Sequence, residues 1–289
     1  YGDHRDLHLS LRRQRQMCIR DRDMRYSLST QLNNTHFVSN VSHPVLDEEG
    51  GNFVIKSLPY KYDLFDYSKD ILRIPDKLTA LQAFKGRIWA FTDSKIYIIE
   101  PNGLYIEDTM IGIGCAHDKG VVVTPYGMFW IDKNNIYLHD GSTMIPIGQA
   151  IKDGNDNAIS KIDFDQLGTV SEAAAGSGNT AQAPIAVYDA NANAVLFIVK
   201  LDASPYNRRA WAFHIPSKRW ECWQVNGTAK IYDAVTGSDG YVYYIDSRLR
   251  KYRGESTRRT YNWASNCLLY TSDAADEGLG VDLGGRRII

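Results

Sequence analysis

Gly112-Ile113-Gly114-Cys115-Ala116-His117 is the densest set of groups that could do chemistry. Two close glycines can let backbone wrap a pyrophosphate, a thiol can attack a carbonyl, and an imidazole can take its proton. The phosphate reading needs Gly or Ala at the sixth position and a strand, loop and helix around the run. Here the sixth residue is His117 and the surroundings are strand-like. A Cys-x-His spacing in extended chain puts both side chains on one face, but no third residue orients the imidazole. Cys115 therefore reads as a packing residue. Asp153-Gly154-Asn155-Asp156-Asn157 places oxygens at alternate positions, as a calcium loop does. Its sixth position is Ala158 where the turn needs Gly, and its twelfth is Phe164 where a bidentate Glu belongs. A turn with a helix cap is the better account.

Asp63 and Asp66 could pair as general acid and base on an aromatic-flanked segment, but nothing in the sequence fixes their separation. Trp211, Trp220 and Trp223 could stack bases or sugars. The only basic residues interleaved near them are Arg208, Arg209, Lys218 and Arg219, so core packing is the simpler reading. His36, His43, His117, His139 and His214 include no pair at helical i, i+4 spacing, and metal catalysis has no support. The screen leaves no catalytic, cofactor-binding or metal-binding residue, and the chain is expected not to be an enzyme.

The 289 residues are 44% hydrophobic and 23% charged, with 33 Lys+Arg against 34 Asp+Glu. That composition excludes wholesale disorder and a collagen-like repeat. No run reaches the ~18 to 20 apolar residues of a membrane-spanning helix, so no membrane partner is expected. Four scattered cysteines make neither a disulfide framework nor a zinc cluster.

Charge is unevenly placed. Leu9 to Arg25 reads LSLRRQRQMCIRDRDMR, with six arginines and no lysine. A basic arm for nucleic acid is one reading. A twin-arginine export signal is another, but no apolar segment follows Arg12 and Arg13. The third is a resemblance: QRQMCIRDR, and CLLYTSDAADEGLGVDLGGRRII from Cys267 to Ile289, look like translated sequencing-adapter read-through of metagenomic assemblies. It implies that residues 1–22 and 267–289 are adapter-derived and disordered, and that the natural protein continues beyond both. Residues 1–22 carry six Arg and three Asp, and 267–289 carry two Arg and four acids. The body without them is slightly acidic and keeps Cys115 and Cys222.

Short strands carry or position these candidate groups. From Leu78, period-2 runs recur as 78–84, 87–91 and 95–99, then 121–124, 128–131 and 135–139. They continue as 185–188, 194–199, 210–214 and 219–225, then 231–235 and 241–245, with Lys251-Tyr252 beyond. Turn residues separate them. Units of three to four strands at about 40 to 50 residues are the spacing of propeller blades. The expected fold is all-β, an incomplete β-propeller-like repeat of meanders over 78–266, with a β-sandwich as alternative. Within it, Ser171 to Pro184 reads as a flexible loop, and 147–152 and 158–162 carry weak helical spacing. Residues 23–77 form a poorly defined segment, where Tyr60 to Tyr67 is either one strand of an incomplete blade or a partner-facing stretch. Ser238-Asp239-Gly240 resembles the aspartate turn of some sialidase propellers, but it does not recur in the other units, and a tight hairpin explains it.

From Ile74 to Ala158 a longer resemblance appears. Pro75-Asp76-Lys77-Leu78-Thr79-Ala80-Leu81, Phe84-Lys85-Gly86-Arg87-Ile88-Trp89-Ala90-Phe91, Ser94-Lys95-Ile96-Tyr97, Gly114-Cys115-Ala116, Val121-Val122-Val123, Gly127-Met128-Phe129-Trp130-Ile131 and Asn135-Ile136-Tyr137-Leu138-His139-Asp140-Gly141 follow in that order. The order resembles tail, neck and packaged-DNA stabilisation proteins of short-tailed bacteriophages. The resemblance covers about two thirds of the body and rests on meander features. It implies a structural virion protein in the tail, present in the host cytoplasm during assembly. Such a protein would form a homo-oligomeric ring with portal or other tail proteins, touch packaged DNA without sequence preference, and need no cofactor. The alternative is a carbohydrate-binding or glycoside-processing β-propeller of bacterial origin.

Overall fold

A computed structural model describes residues 25–42, 52–66, 68–148, 183–200, 208–224, 231, 233–245 and 249–251. The adapter-like ends, the 153–157 turn with the helical spacing at 149–152 and 158–162, and His43 lie outside them. So does the Ser171 to Pro184 excursion except Ala183 and Pro184, and so do the side chains of Arg208, Arg209, Cys222 and Trp223.

The described residues form five antiparallel sheets in chain order. The first holds β1 (Leu28–Leu32), β2 (Thr35–Ser39), β3 (Phe53–Leu58), β4 (Lys61–Phe65) and β5 (Ile71–Arg73). Both β4 and β5 pair with β3, so together they fill one outer position. The second is β6 (Ala80–Phe84), β7 (Arg87–Phe91), β8 (Lys95–Glu100) and β9 (Tyr105–Ile111). The third is β10 (Val121–Thr124), β11 (Gly127–Ile131), β12 (Ile136–His139) and β13 (Met144–Pro146). The fourth is β14 (Ile185–Asp189), β15 (Ala194–Lys200), β16 (Arg208–His214) and β17 (Arg219–Gln224). The fifth is β18 (Asp233–Thr236), β19 (Val242–Ile245) and β20 (Leu249–Lys251). One short 3₁₀ turn, Asp118–Gly120, precedes β10.

The first strands converge. β1 contacts β6, β6 contacts β10, β10 contacts β14 and β14 contacts β18, so each sheet starts at a shared centre and runs outward. Strand alternation then sends neighbouring side chains to different sheets. On β7, Ile88 and Ala90 pack with Leu28, Phe37 and Val54 of the first sheet. Trp89 and Phe91, between and beyond them, pack with Met128 and Trp130 of the third. On β11, Phe129 and Ile131 turn away from that cluster and meet Val195, Phe197, Trp211 and Phe213 of the fourth sheet. On β15, Leu196 and Ile198 face Val242 of the fifth.

A two-layer sandwich gives each sheet one buried and one solvated face. Here the second, third and fourth sheets are buried on both, and the fold is β-propeller-like. Large residues oppose small ones across each gap: Ala210 and Ala212 face the fifth sheet while Trp211 and Phe213 face the third. A fully buried ring of that size contributes about 1.5–3 kcal/mol.

The segment before Leu78, where the sequence offers no clear alternation, is a complete sheet. Its pattern is obscured by buried polar residues that are satisfied inside it: the Ser39 hydroxyl donates to Phe53 O (2.6 Å), and the Ser57 hydroxyl accepts from His36 N (2.9 Å). No helix among the described residues is long and apolar enough to cross a membrane.

Candidate functional site

The Gly112–His117 run is the crossover from β9 to β10, and each of its reactive-looking groups is used for structure. Gly112 N donates to Ser94 O (2.8 Å) and Cys115 N to Thr92 O (2.9 Å), which lays the crossover against the β7–β8 turn. That turn is itself closed by Thr92, whose hydroxyl accepts from Lys95 N (2.8 Å). At Gly114 the approach is so close that a Cβ would lie 2.3 Å from Thr92 O and 2.5 Å from Asp93 C, both backbone atoms. The glycine serves close contact of two protein backbones.

The Cys115 thiol donates to His117 O (3.1 Å), not to its imidazole. Burial pushes the thiol up to about 12, far from thiolate chemistry. The His117 ring accepts from Lys119 N (3.3 Å) as the N-cap of the 3₁₀ turn, and Asp118 Oδ1 accepts from the same N–H (2.9 Å). From the third sheet, Asp132 closes the joint. It is buried, it accepts from Gly114 N and from Asn134 Nδ2 (3.1 Å), and desolvation holds its carboxyl above the usual range. Asn135 Oδ1 takes Ile136 N and Gly148 N, both at 2.8 Å.

The other candidates disperse. Asp63 is exposed on β4. Asp66 accepts from the Ser68 hydroxyl (2.6 Å) and Ser68 N (3.0 Å), which holds its carboxyl below the usual range. For Asp66 that direction is opposite to the raised pKa of a general acid. Asp239 accepts from the Tyr243 hydroxyl (2.9 Å) and Tyr241 N (3.2 Å), and Gly240 completes the β18–β19 hairpin at φ +79. Trp211 is core, and Trp220 packs on Phe213 (5.0 Å) while its indole donates to Ile147 O (3.0 Å).

The histidines are spread over separate sheets. His36 meets Tyr26 edge-on, and His214 pairs with the Ser217 hydroxyl (2.7 Å). His139 packs against Trp89 (4.8 Å) and accepts from Gly141 N (3.1 Å), and burial pulls it below its ordinary value. No group of three potential metal ligands occurs among the described residues.

A different cluster gathers at the other end of the strands. Tyr126 in the β10–β11 turn and Tyr188 on β14 both donate to Asn193 Oδ1, each at 3.3 Å, so two sheets meet through one amide. Burial, with the Tyr126 hydroxyl close by, pushes the Tyr188 phenol up. In sequence these residues appear only as parts of two turns, Pro125-Tyr126-Gly127 and Asp189 to Asn193, and nothing local joins them.

No protein-family profile matches the sequence, and no curated protein matches it. Among solved structures, the chain is similar to the extracellular domain of BT4673 from B. thetaiotaomicron: TM-score 0.50, 7% identity, covering 82% of this chain and 28% of that one. It is also similar to the Cps50 (Swd1) β-propeller domain of Myceliophteria thermophila, with TM-score 0.46, 6% identity and coverage of 81% and 67%. A third is the Neurospora crassa Pan2 WD40 domain, with TM-score 0.39, 11% identity and coverage of 76% and 58%. The chain thus spans under a third of the BT4673 domain's length. At these identities the likeness concerns fold alone.

Proposed function

We propose that the chain is a non-catalytic assembly module: a structural component of the tail or neck of a short-tailed bacteriophage, working in a ring of copies with portal or tail proteins. The observation that carries this reading is the rim. Outer strands of three successive sheets expose large side chains, Tyr62 on β4, Tyr105 and Ile111 on β9, and Ile145 on β13, with Ile111 77% exposed. Exposed apolar side chains repeated along one edge of a fold suit protein contact.

The inner strands β1, β6, β10, β14 and β18 contain no Lys or Arg, so a grip on packaged DNA falls to other surfaces. Sedimentation velocity tests the reading. The chain should form closed oligomers, and Tyr105→Ser with Ile111→Asp should dissociate them. A monomer at tens of micromolar that binds no portal or tail protein would contradict it.

A second reading, a saccharide-binding propeller, is favoured by one observation: the Tyr126 and Tyr188 hydroxyls converging on Asn193. Glycan binding lost in Tyr126→Ala would support it, and a chain that binds no glycan would refute it.

A further inference from the structure

We propose that Tyr126, Tyr188 and Asn193 form a binding site for a neutral saccharide. The inference rests on the second reading above and assigns it a place. A sugar offers hydroxyls that both donate and accept, and C–H faces that lie on aromatic rings. A site for it needs a fixed ring, a donor and an acceptor close together.

Tyr126 supplies the ring. It is 48% exposed, and its hydroxyl is tied to Asn193, which limits the freedom a ligand would otherwise have to remove. Both phenolic protons are committed to Asn193 Oδ1, leaving the two phenolic oxygens as acceptors. The Asn193 Nδ2 amide has no hydrogen-bond partner among the described residues and is the donor.

The β14–β15 turn that carries Asn193 is fixed from below. Buried Asp189 accepts from Asn191 N and Ala192 N, each at 3.0 Å, and Asn193 O accepts from Ile215 N (3.0 Å). Gly240 of the next sheet brings the β18–β19 hairpin up to Asn191. A Cβ at Gly240 would lie 3.2 Å from Asn191 Nδ2, so the polar surface continues past the tyrosine pair. None of these residues is cationic, which selects a neutral sugar over a phosphate or a uronic acid.

The test uses the whole chain against immobilised neutral glycans, with N-acetylglucosamine oligomers and dextran as probes, followed by calorimetry on whichever binds. Tyr126→Ala and Asn193→Gly are the variants. Glycine keeps the left-handed backbone of Asn193 (φ +48) without its side chain. Each should weaken binding at least tenfold while far-UV circular dichroism stays unchanged, and Tyr60→Ala, at an exposed turn of the first sheet, should bind as wild type. If the wild type binds and both variants bind equally well, the placement is wrong while the saccharide reading stands. If the wild type binds no glycan, the reading fails and the site with it. Competition by heparin or DNA at low millimolar charge would overturn the neutral class.

Discussion

Gly112 and Gly114 belong to one short motif, yet the structure gives them different jobs, and that difference can be measured. Gly112 sits at φ +89 with open space where a Cβ would go. Replacing it by Ala costs conformational strain alone, about 1–2 kcal/mol. Gly114→Ala places a methyl 2.3 to 2.6 Å from three backbone atoms of Thr92, Asp93 and Ser94, none of which can turn aside as a side chain could. Separating the crossover from the β7–β8 turn costs about 1–3 kcal/mol of overpacking. It also weakens the Cys115-to-Thr92 and Gly112-to-Ser94 hydrogen bonds, at about 0.5–1.5 kcal/mol each.

The expected total for Gly114→Ala is about 2–6 kcal/mol. With a urea m-value of about 2–3 kcal/mol/M, the midpoint falls by about 0.7–3 M. Urea titrations of both variants, followed by tryptophan fluorescence, provide the comparison. Should Gly112→Ala prove the more costly, or Gly114→Ala move the midpoint by less than about 0.2 M, the close-approach argument is refuted.

Two further outcomes follow from the same joint and its neighbour. Because burial keeps the Cys115 thiol protonated until about pH 12, iodoacetamide at pH 8 should leave Cys115 unmodified in the native chain and alkylate it in urea, read site by site by mass spectrometry. Asp76 accepts from Lys95 Nζ (2.7 Å) and the Tyr97 hydroxyl (2.5 Å), in that order of influence, which holds its carboxyl below the usual range. A depressed carboxyl contributes stability above its unfolded pKa and loses it as pH falls through the folded value. Lys95→Met and Tyr97→Phe should each move the Asp76 carboxyl resonance midpoint upward, and no movement would show that the contacts do not persist in solution.

The meander was legible where packing demands it. In the fourth sheet, alternation places strands at 185–188, 194–199, 210–214 and 219–225, and the structure has them at 185–189, 194–200, 208–214 and 219–224. Both faces of these strands are apolar, and the turns between them are marked by Asn, Pro and Lys. Outer strands were not legible. Tyr105–Ile111 carries Glu107 and Asp108 in its middle, because one edge and much of its surface face solvent, and Met144–Pro146 is three residues long.

The first sheet was hidden for the opposite reason: Ser39 and Ser57 are buried where alternation wants apolar residues, and their hydrogen bonds come from across the sheet. At the level of sites, the spacing of Gly112 to His117 is visible in sequence, but its role in joining two sheets needs the third dimension. The Tyr126–Tyr188–Asn193 cluster joins residues 67 positions apart and leaves no local trace.

The third sheet stands between two others, so that adjacent residues on one strand belong to different cores. Double-mutant cycles test it directly. Trp130 meets Phe91 of the second sheet at 5.8 Å, and Phe129 meets Phe213 of the fourth at 6.0 Å. With leucine substitutions, each pair should show a coupling of about 0.5–1.5 kcal/mol, while Phe91 and Phe213, separated by the sheet, should be additive to within about 0.5 kcal/mol. If only one of the two pairs is coupled, or if Phe91 couples to Phe213, the sheets do not stack in chain order and the propeller-like arrangement is contradicted.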